Sequence, residues 1–455
     1  MNTSFFGELM QTISERGRAL IDRTRDRRDA AEARSRSLVE LCEDLLSGRG
    51  EASGAARAAH ILERYEALTT GPRIAFFEAL AKEFGADQSR VTAAVAAWQK
   101  NPCDKTAAEL HNAAEPRRLE LFRRLNFAPG GTAALVAMRE QLMDALVHRE
   151  DLQPVDADFV HLFTSWFNRG FLVPRRIDWS TPAIILEKII RYEAVHQIRD
   201  WADLRRRIDP RDRRCYAFFH PTLIDEPLIF VEVALMEGIA SSIAPILAEN
   251  REPLPPNEAT TAVFYSISNC QRGLAGVSFG HFLIKQVVEE VSRELPKLKT
   301  FVTLSPVPGF TRWLDRERVD EHSTALPAED RSKLAALDQK DWPLDGQIAE
   351  SLREPLLHAA AAYFLTGRTK KGAPIDPVAR FHLGNGARLE QINWLADTSP
   401  KGLSQSYGLM VNYRYELDHI EQNHEAYAEN RTVVVSPAVK RLARNSGLQL
   451  VSSAS

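Results

Sequence analysis

Apolar positions recur every three or four residues through the first 170 residues. Leu38, Leu41, Leu45 and Leu46 form one such stripe, and Ile74, Phe77, Leu80 and Phe84 form another. Val91, Val95 and Trp98 make a third, and Leu135, Met138, Leu142 and Leu146 a fourth. Spacing of this kind predicts amphipathic helices. Pro72, Pro102, Pro116 and Pro129 fall between the runs, where they can start or end helices. β-Branched runs are scarce here and nothing alternates with period two, so residues 1–170 read as an all-α helical bundle.

After Trp179 the texture changes. Tyr216–His220, Leu228–Leu235, Thr260–Ser268, Thr300–Leu304 and Tyr407–Tyr415 are short runs rich in β-branched and aromatic residues, which predicts strands. Helical spacing returns over Ile239–Asn250, His281–Leu295 and Ile348–Leu365, while Asp315–Gly346 reads as a polar loop with one short helix near Leu334. The expected class is α+β: a helical domain over 1–170, followed by a mixed α/β domain over 171–455.

Composition narrows the function classes. The chain has 455 residues, which at roughly 150 per domain suits two or three domains. Lys and Arg total 58 against 61 Asp and Glu, so no global basic field points to nucleic acid. No run approaches the ~20 apolar residues of a membrane helix. Met1–Arg18 lacks a signal-peptide core, and the arginines between Arg16 and Arg28 are interleaved with Asp22, Asp26 and Asp29, unlike a transit peptide. The expectation is a soluble cytoplasmic protein. Cys42, Cys103, Cys215 and Cys270 are far apart without a CxxC pair, and the histidines show no ligand spacing, so neither a metal nor a disulfide framework is expected.

The chemistry concentrates in three segments. In the first, a strand ending near Ser268 leads into a glycine loop, Gln271 to Gly280, and then a helix near His281. Strand, glycine loop and helix N-terminus can present backbone N–H groups to a phosphate, with Lys285 adding charge, or can simply make a tight turn. Neither a P-loop nor a GxGxxG fingerprint is present. Gly276-Val277-Ser278-Phe279-Gly280 does fit GxSxG, yet Asn269–Ala275 separates the strand from Ser278 by too many residues for a nucleophile elbow. The second segment, Leu304-Ser305-Pro306-Val307-Pro308-Gly309-Phe310, places a serine at a strand end, its hydroxyl aimed off the sheet edge; it is equally a Ser-Pro turn. In the third, Asp376-Pro377 leads to Phe381-His382-Leu383-Gly384-Asn385-Gly386-Ala387, where His382 is either an acid/base group or a structural histidine.

These blocks resemble the malonyl-CoA decarboxylase family. The resemblance is carried by Phe264–Ser268, Gly273-Leu274-x-Gly276-Val277, Phe282–Lys285, Leu304–Phe310, Phe381–Ala387 and Asn412-Tyr413-Arg414-Tyr415, in the family's order. It implies a GNAT-like catalytic domain, a helical domain used in homotetramer assembly, and a place in fatty acid metabolism. It makes Ser305 and His382 the catalytic pair. It makes Ala275, Gly276, Val277, Ser278, Phe279, Gly280 and His281 the CoA cradle, with Tyr415 lining the acyl pocket. The family often carries an acidic residue where this chain has Ser278, which leaves the role of that side chain open. No cofactor is implied, because a malonyl thioester can hold the electrons left by CO2 as its own enolate. A histidine with an ordinary pKa near ~6.5 would suit delivery of the proton that follows. The competing readings are a CoA-dependent acyltransferase on the same GNAT fold and a non-enzymatic helical scaffold with a degenerate CoA domain.

Overall fold

The computed structural model describes residues 37–48, 51–277 and 283–445. Arg16–Arg28, Ser278, Phe279, Gly280 and His281 lie outside the described residues. The chain divides into two compact units. The first comprises residues 1–173 together with 219–228 and 271–279; the second comprises 174–218, 229–270 and 280–455.

In the first unit the predicted helices are present: α1 (Leu38–Ser47), α2 (Glu51–Glu66), α3 (Thr70–Lys82), α4 (Gln88–Lys100), α5 (Asp104–Ala114), α6 (Arg117–Leu125), α7 (Gly131–Leu146) and α8 (Gln153–Trp166). The start of α1 is fixed by a capping box, in which the Ser37 hydroxyl accepts from Glu40 N–H and the Glu40 carboxylate accepts from Ser37 N–H. Leu135, Met138 and Leu142 are buried on α7, and Phe122 of α6 stacks on Phe159 of α8 with ring centroids 4.1 Å apart. The stripe on α4 behaves differently. No residue of α4 is buried and Trp98 is 42% exposed, because its apolar side meets little beyond α5. Pro72 sits inside the first turn of α3, where its missing N–H costs no helical bond.

The second unit holds a mixed sheet flanked by helices, as the change of texture predicts, apart from the strand ends Val173, Phe219, Pro227 and Leu228, which fall in the first. Its strands are β1 (Val173–Arg176), β2 (Arg213–Phe219), β3 (Pro227–Met236), β4 (Thr261–Asn269), β5 (Thr300–Thr303), β6 (Ser305–Pro306), β7 (Arg388–Asn393) and β8 (Met410–Arg414). They run in the order β1-β2-β3-β4-β5-β8-β6, with β7 also on β8. β3 is buried from Pro227 to Leu235, which explains its continuous apolar run. Glu232 in its centre is held by Arg207 at 3.0 Å.

Three expectations need correction. Ile239–Asn250 contains only a short helix, Ala244–Leu247. The stretch from Asp315 carries the expected short helix at Leu334, Ala328–Leu334, but also the end of a second helix, Phe310–Val319, and the 3-10 turn Ala335–Asp338, with Phe310, Trp313, Leu314 and Leu334 buried. The strand expected from Tyr407 begins at Met410, because Tyr407 and Gly408 take positive φ angles and turn the chain.

The feature that positions the site is a split in the sheet. β4 and β5 run parallel in register from Thr261/Thr300 to Phe264/Thr303, and Leu304 N–H donates to Phe264 O as the last bond. Beyond that point β4 continues to Asn269, while Ser305 pairs with Val411 of β8 instead. On its other side β4 carries a bulge: Glu232 faces Ser266 and Val233 faces Phe264, so Tyr265 is the extra residue. A bulge bends its strand and increases the local twist, so β4 swings away from β6. Pro306 lacks an N–H and cannot bridge the gap.

Candidate functional site

The split opens a cavity of about 260 Å³ within the second unit. Tyr265, Ile267 and Asn269 of β4 line one wall, and Leu304, Ser305 and Pro306 line the other. Pro377, Val378, Phe381 and His382, all from the helix Pro377–Gly384, close it together with Val195 and Phe264. No Lys, Arg, Asp or Glu is among these lining residues.

The closing helix starts where its sequence says it should. Asp376 is the N-cap, its Oδ1 accepting from Ala379 N–H at 2.7 Å, and Pro377 fills the first helical position, where φ is pre-set and no donor is wasted. His382 falls in the last turn. Its ring lies on Tyr413 with centroids 4.5 Å apart and planes at 22°.

Ser305 and His382, 77 residues apart in sequence, are brought together: Ser305 Oγ lies 3.2 Å from His382 Nε2. Ser305 donates its own proton to Thr303 Oγ1 at 2.8 Å. A hydroxyl has one proton, so in this arrangement Ser305 accepts from Nε2–H. The Nδ1 atom of His382 then accepts from the Tyr415 hydroxyl at 2.8 Å. Thr303 Oγ1 is oriented by Tyr413 N–H at 3.1 Å. The result is a chain of hydrogen bonds, Tyr415 to His382 to Ser305 to Thr303, with every member buried.

Burial also decides the charge state. His382 is 2% exposed with no carboxylate among its hydrogen-bond partners, and desolvation lowers its pKa to about 3. The ordinary value expected from sequence is therefore corrected: the imidazole is neutral at pH 7. Tyr413 and Tyr415 are held well above the usual phenol range by the same desolvation. Asp376 is pushed up to about 7, chiefly by burial. Its Oδ2 accepts from Tyr363 at 3.3 Å.

Two further placements differ from expectation. Ser305 sits on the end strand β6, which pairs only with β8, but that edge is buried: the hydroxyl meets Thr303 and His382 and the residue is 5% exposed. Tyr415 does not line the cavity; it sits behind His382, because its hydroxyl meets Nδ1, the ring nitrogen remote from Ser305. Thr303, Tyr413, Asp376 and Tyr363 were not singled out from sequence. Two-residue alternation could have found the first two, as Thr303 precedes Ser305 by two and Tyr413 precedes Tyr415 by two. Asp-Pro before a helix is itself an N-cap signal and could have found Asp376.

The glycine loop belongs to the first unit. Ala275 and Gly276 are exposed and Val277 is buried. Gly276 has φ +79°, a conformation that glycine alone adopts freely. Among the described residues there is no group of His, Cys, Asp or Glu arranged to hold a metal, and no helix is long and apolar enough to cross a membrane.

Comparison with known proteins places the chain. Residues 84–167 match the family model of the malonyl-CoA decarboxylase N-terminal domain, and residues 170–452 match that of the malonyl-CoA decarboxylase C-terminal domain. The mitochondrial malonyl-CoA decarboxylase of Anser anser anser is 35% identical over 94% of this chain and 89% of its own length. That of Rattus norvegicus, also mitochondrial, is 34% identical over 88% and 85%. The crystal structure of malonyl-CoA decarboxylase from Rhodopseudomonas palustris is 59% identical, with a TM-score of 0.87 over 89% of this chain and 98% of its own. The corresponding structure from Agrobacterium vitis is 56% identical, with a TM-score of 0.85 over 89% and 99%. The chain belongs to the malonyl-CoA decarboxylase family.

Proposed function

We propose that the protein decarboxylates malonyl-CoA to acetyl-CoA and CO2, with Ser305 and His382 as the catalytic pair. The observation that carries this reading is the 3.2 Å contact between Ser305 and His382 at the wall of an uncharged cavity. A carboxylate placed there has no cation among the lining residues to neutralise it. Its conversion to neutral CO2 therefore relieves an unfavourable burial of charge. The electrons left behind pass into the thioester as an enolate, whose oxygen needs a donor, and the Ser305 hydroxyl supplies it by turning from Thr303 to the substrate. The α-carbon takes up the Nε2 proton and a solvent proton replaces it on the ring, which stays neutral, while Tyr415, whose burial keeps its proton in place, holds Nδ1 by its hydrogen bond. That one solvent proton balances the overall reaction of malonyl-CoA carboxylate and H⁺ to acetyl-CoA and CO2. An acyltransferase would instead need an unprotonated base facing an amine, whereas Nε2 here carries a proton. Ala275 to His281 act in this reading as the backbone cradle of CoA.

The test is incubation of purified protein with malonyl-CoA and mass spectrometry for acetyl-CoA. Formation of acetyl-CoA without an acceptor is the expected result; consumption only when an amine is supplied would favour the acyltransferase. On the same reading residues 1–170 form the domain of homotetramer assembly and 171–455 the GNAT-like catalytic domain, in a cytoplasmic protein. Light scattering on the intact chain and cell fractionation test assembly and location.

A further inference from the structure

Arg139 lies on α7, within the first unit, and is 3% exposed. Its Nε and Nη2 meet the Asp156 carboxylate of α8 at 2.8 and 3.5 Å. Its Nη1 reaches in the other direction and donates to two carbonyls of the glycine loop, Gly273 O and Ala275 O, both at 2.8 Å. A planar guanidinium anchored by a carboxylate is a rigid fork. It turns the Ala275 carbonyl toward α7, and because the peptide is trans, Gly276 N–H must point to the opposite side. The loop also lies directly on the helix: a Cβ on Gly273 would overlap the Val136 carbonyl. Gln271 secures the loop's start, donating to Glu226 Oε2 and Pro227 O.

We propose that Arg139 is a positioning residue for the CoA-binding loop, so that the helical domain sets substrate affinity as well as serving assembly. This rests on the reading of Ala275 to His281 as the CoA cradle. The described residues lining the Ser305–His382 cavity belong to the second unit, so a disturbed loop should weaken binding more than chemistry.

The experiment uses the full-length protein and four variants, with CoA affinity by calorimetry and steady-state kinetics on malonyl-CoA. Arg139→Met removes the fork; Gly273→Ala displaces the loop from α7 while leaving the Arg139–Asp156 pair intact; Gly276→Val tests the loop itself. Arg139→Met and Gly273→Ala should each weaken CoA and raise KM about tenfold or more, the scale of lost charge-assisted hydrogen bonds. Turnover at saturation should change much less than KM. Arg139→Lys, which keeps the charge without the fork, should fall between wild type and Arg139→Met. If Arg139→Met does not fold, Arg139→Lys decides, with unchanged CoA affinity overturning the role of the fork. Loss of CoA affinity in Gly276→Val with none in Arg139→Met and Gly273→Ala would overturn the role of Arg139 and leave the cradle standing. Unchanged affinity in Gly276→Val would remove the cradle, and this inference with it.

Discussion

The cavity at Ser305 and the loop at Gly276 present chemistry in opposite ways. In the cavity, side chains do the presenting: His382, Ser305, Thr303 and Tyr415 are linked in one hydrogen-bonded chain, and the backbone only holds them. In the loop the described backbone is tied to itself, Leu274, Ala275 and Val277 N–H donating to Gln271, Arg272 and Leu274 carbonyls, and the side chains that matter, Arg139 and Gln271, grip from behind. Side-chain chemistry is sensitive to residue identity, so a single atom exchanged should abolish it. Backbone presentation is sensitive to space and to φ, so an added methyl should do more harm there than a changed functional group.

The largest effect should come from His382→Asn. Asparagine can hydrogen-bond Ser305 but has no exchangeable ring proton to deliver to the α-carbon, so turnover should fall by ~10² to 10⁴, the scale of general acid–base catalysis, with CoA affinity kept. Ser305→Ala should lower turnover as well. The double variant should lose less than the product of the two, because linked groups act as a unit. Multiplicative losses in kcat would show that the two residues work separately and would break the description of the cavity as one connected chain.

Sequence patterning carried the class of each half because burial sets periodicity directly. Leu135, Met138 and Leu142 repeat at helical spacing and are buried, and the continuous apolar run of β3 is covered on both faces. It did not carry β7, Arg388–Asn393, whose alternation is masked by Arg388, Glu390 and Gln391. Those polar residues are satisfied among themselves and with Glu416 and Asn393, which no local pattern reveals. Of the site, Ser305 and His382 were legible through family resemblance, since spacing alone left each as a structural residue. The cavity depends on a bulge at Tyr265 and on the end of pairing with β4 at Leu304, after which only β8 holds Ser305, both long-range events. The charge state of His382 was illegible for the same reason, as burial is a property of the assembled unit.

A smaller effect is expected behind the imidazole. Tyr415→Phe removes the donor to Nδ1 and leaves a buried acceptor unpaired, while the ring stays packed. Loss of one such bond has an energetic scale of about 1 to 3 kcal/mol. Turnover should fall about tenfold or somewhat more, with KM for malonyl-CoA little changed, since Tyr415 lies outside the cavity lining. A large rise in KM with intact turnover would mean that Tyr415 touches substrate, and the picture of a side chain acting through His382 would give way.

The smallest effect is in stability, and it separates two buried groups of opposite sign. Asp376 is raised from 3.8 to about 7 in the folded protein. The folded state therefore keeps a proton that the unfolded chain has lost, and this contribution is present below about pH 4, declines as pH rises, and is gone above about 7. His382 is lowered from 6.5 to about 3, so its contribution is present above about pH 6.5 and is lost as pH falls toward 3. Between about pH 4 and 6.5 the two slopes oppose each other, and from 6.5 to 7 only Asp376 is still titrating. Asp376→Asn is neutral at every pH and keeps an oxygen for Ala379 N–H, so it removes the alkaline-side loss alone. Its melting temperature relative to wild type should rise between pH 5 and pH 8 by a few degrees, the shift that one or two kcal/mol produces in a chain of this size. His382→Asn should show the reverse trend, gaining on wild type as pH falls from 6.5 to 4. A melting difference for Asp376→Asn that stays constant from pH 5 to 8 would mean that Asp376 is ionised throughout. The cap on the His382 helix would then be a permanent anion, held by the Tyr363 hydroxyl and the Ala379 amide more strongly than burial opposes it.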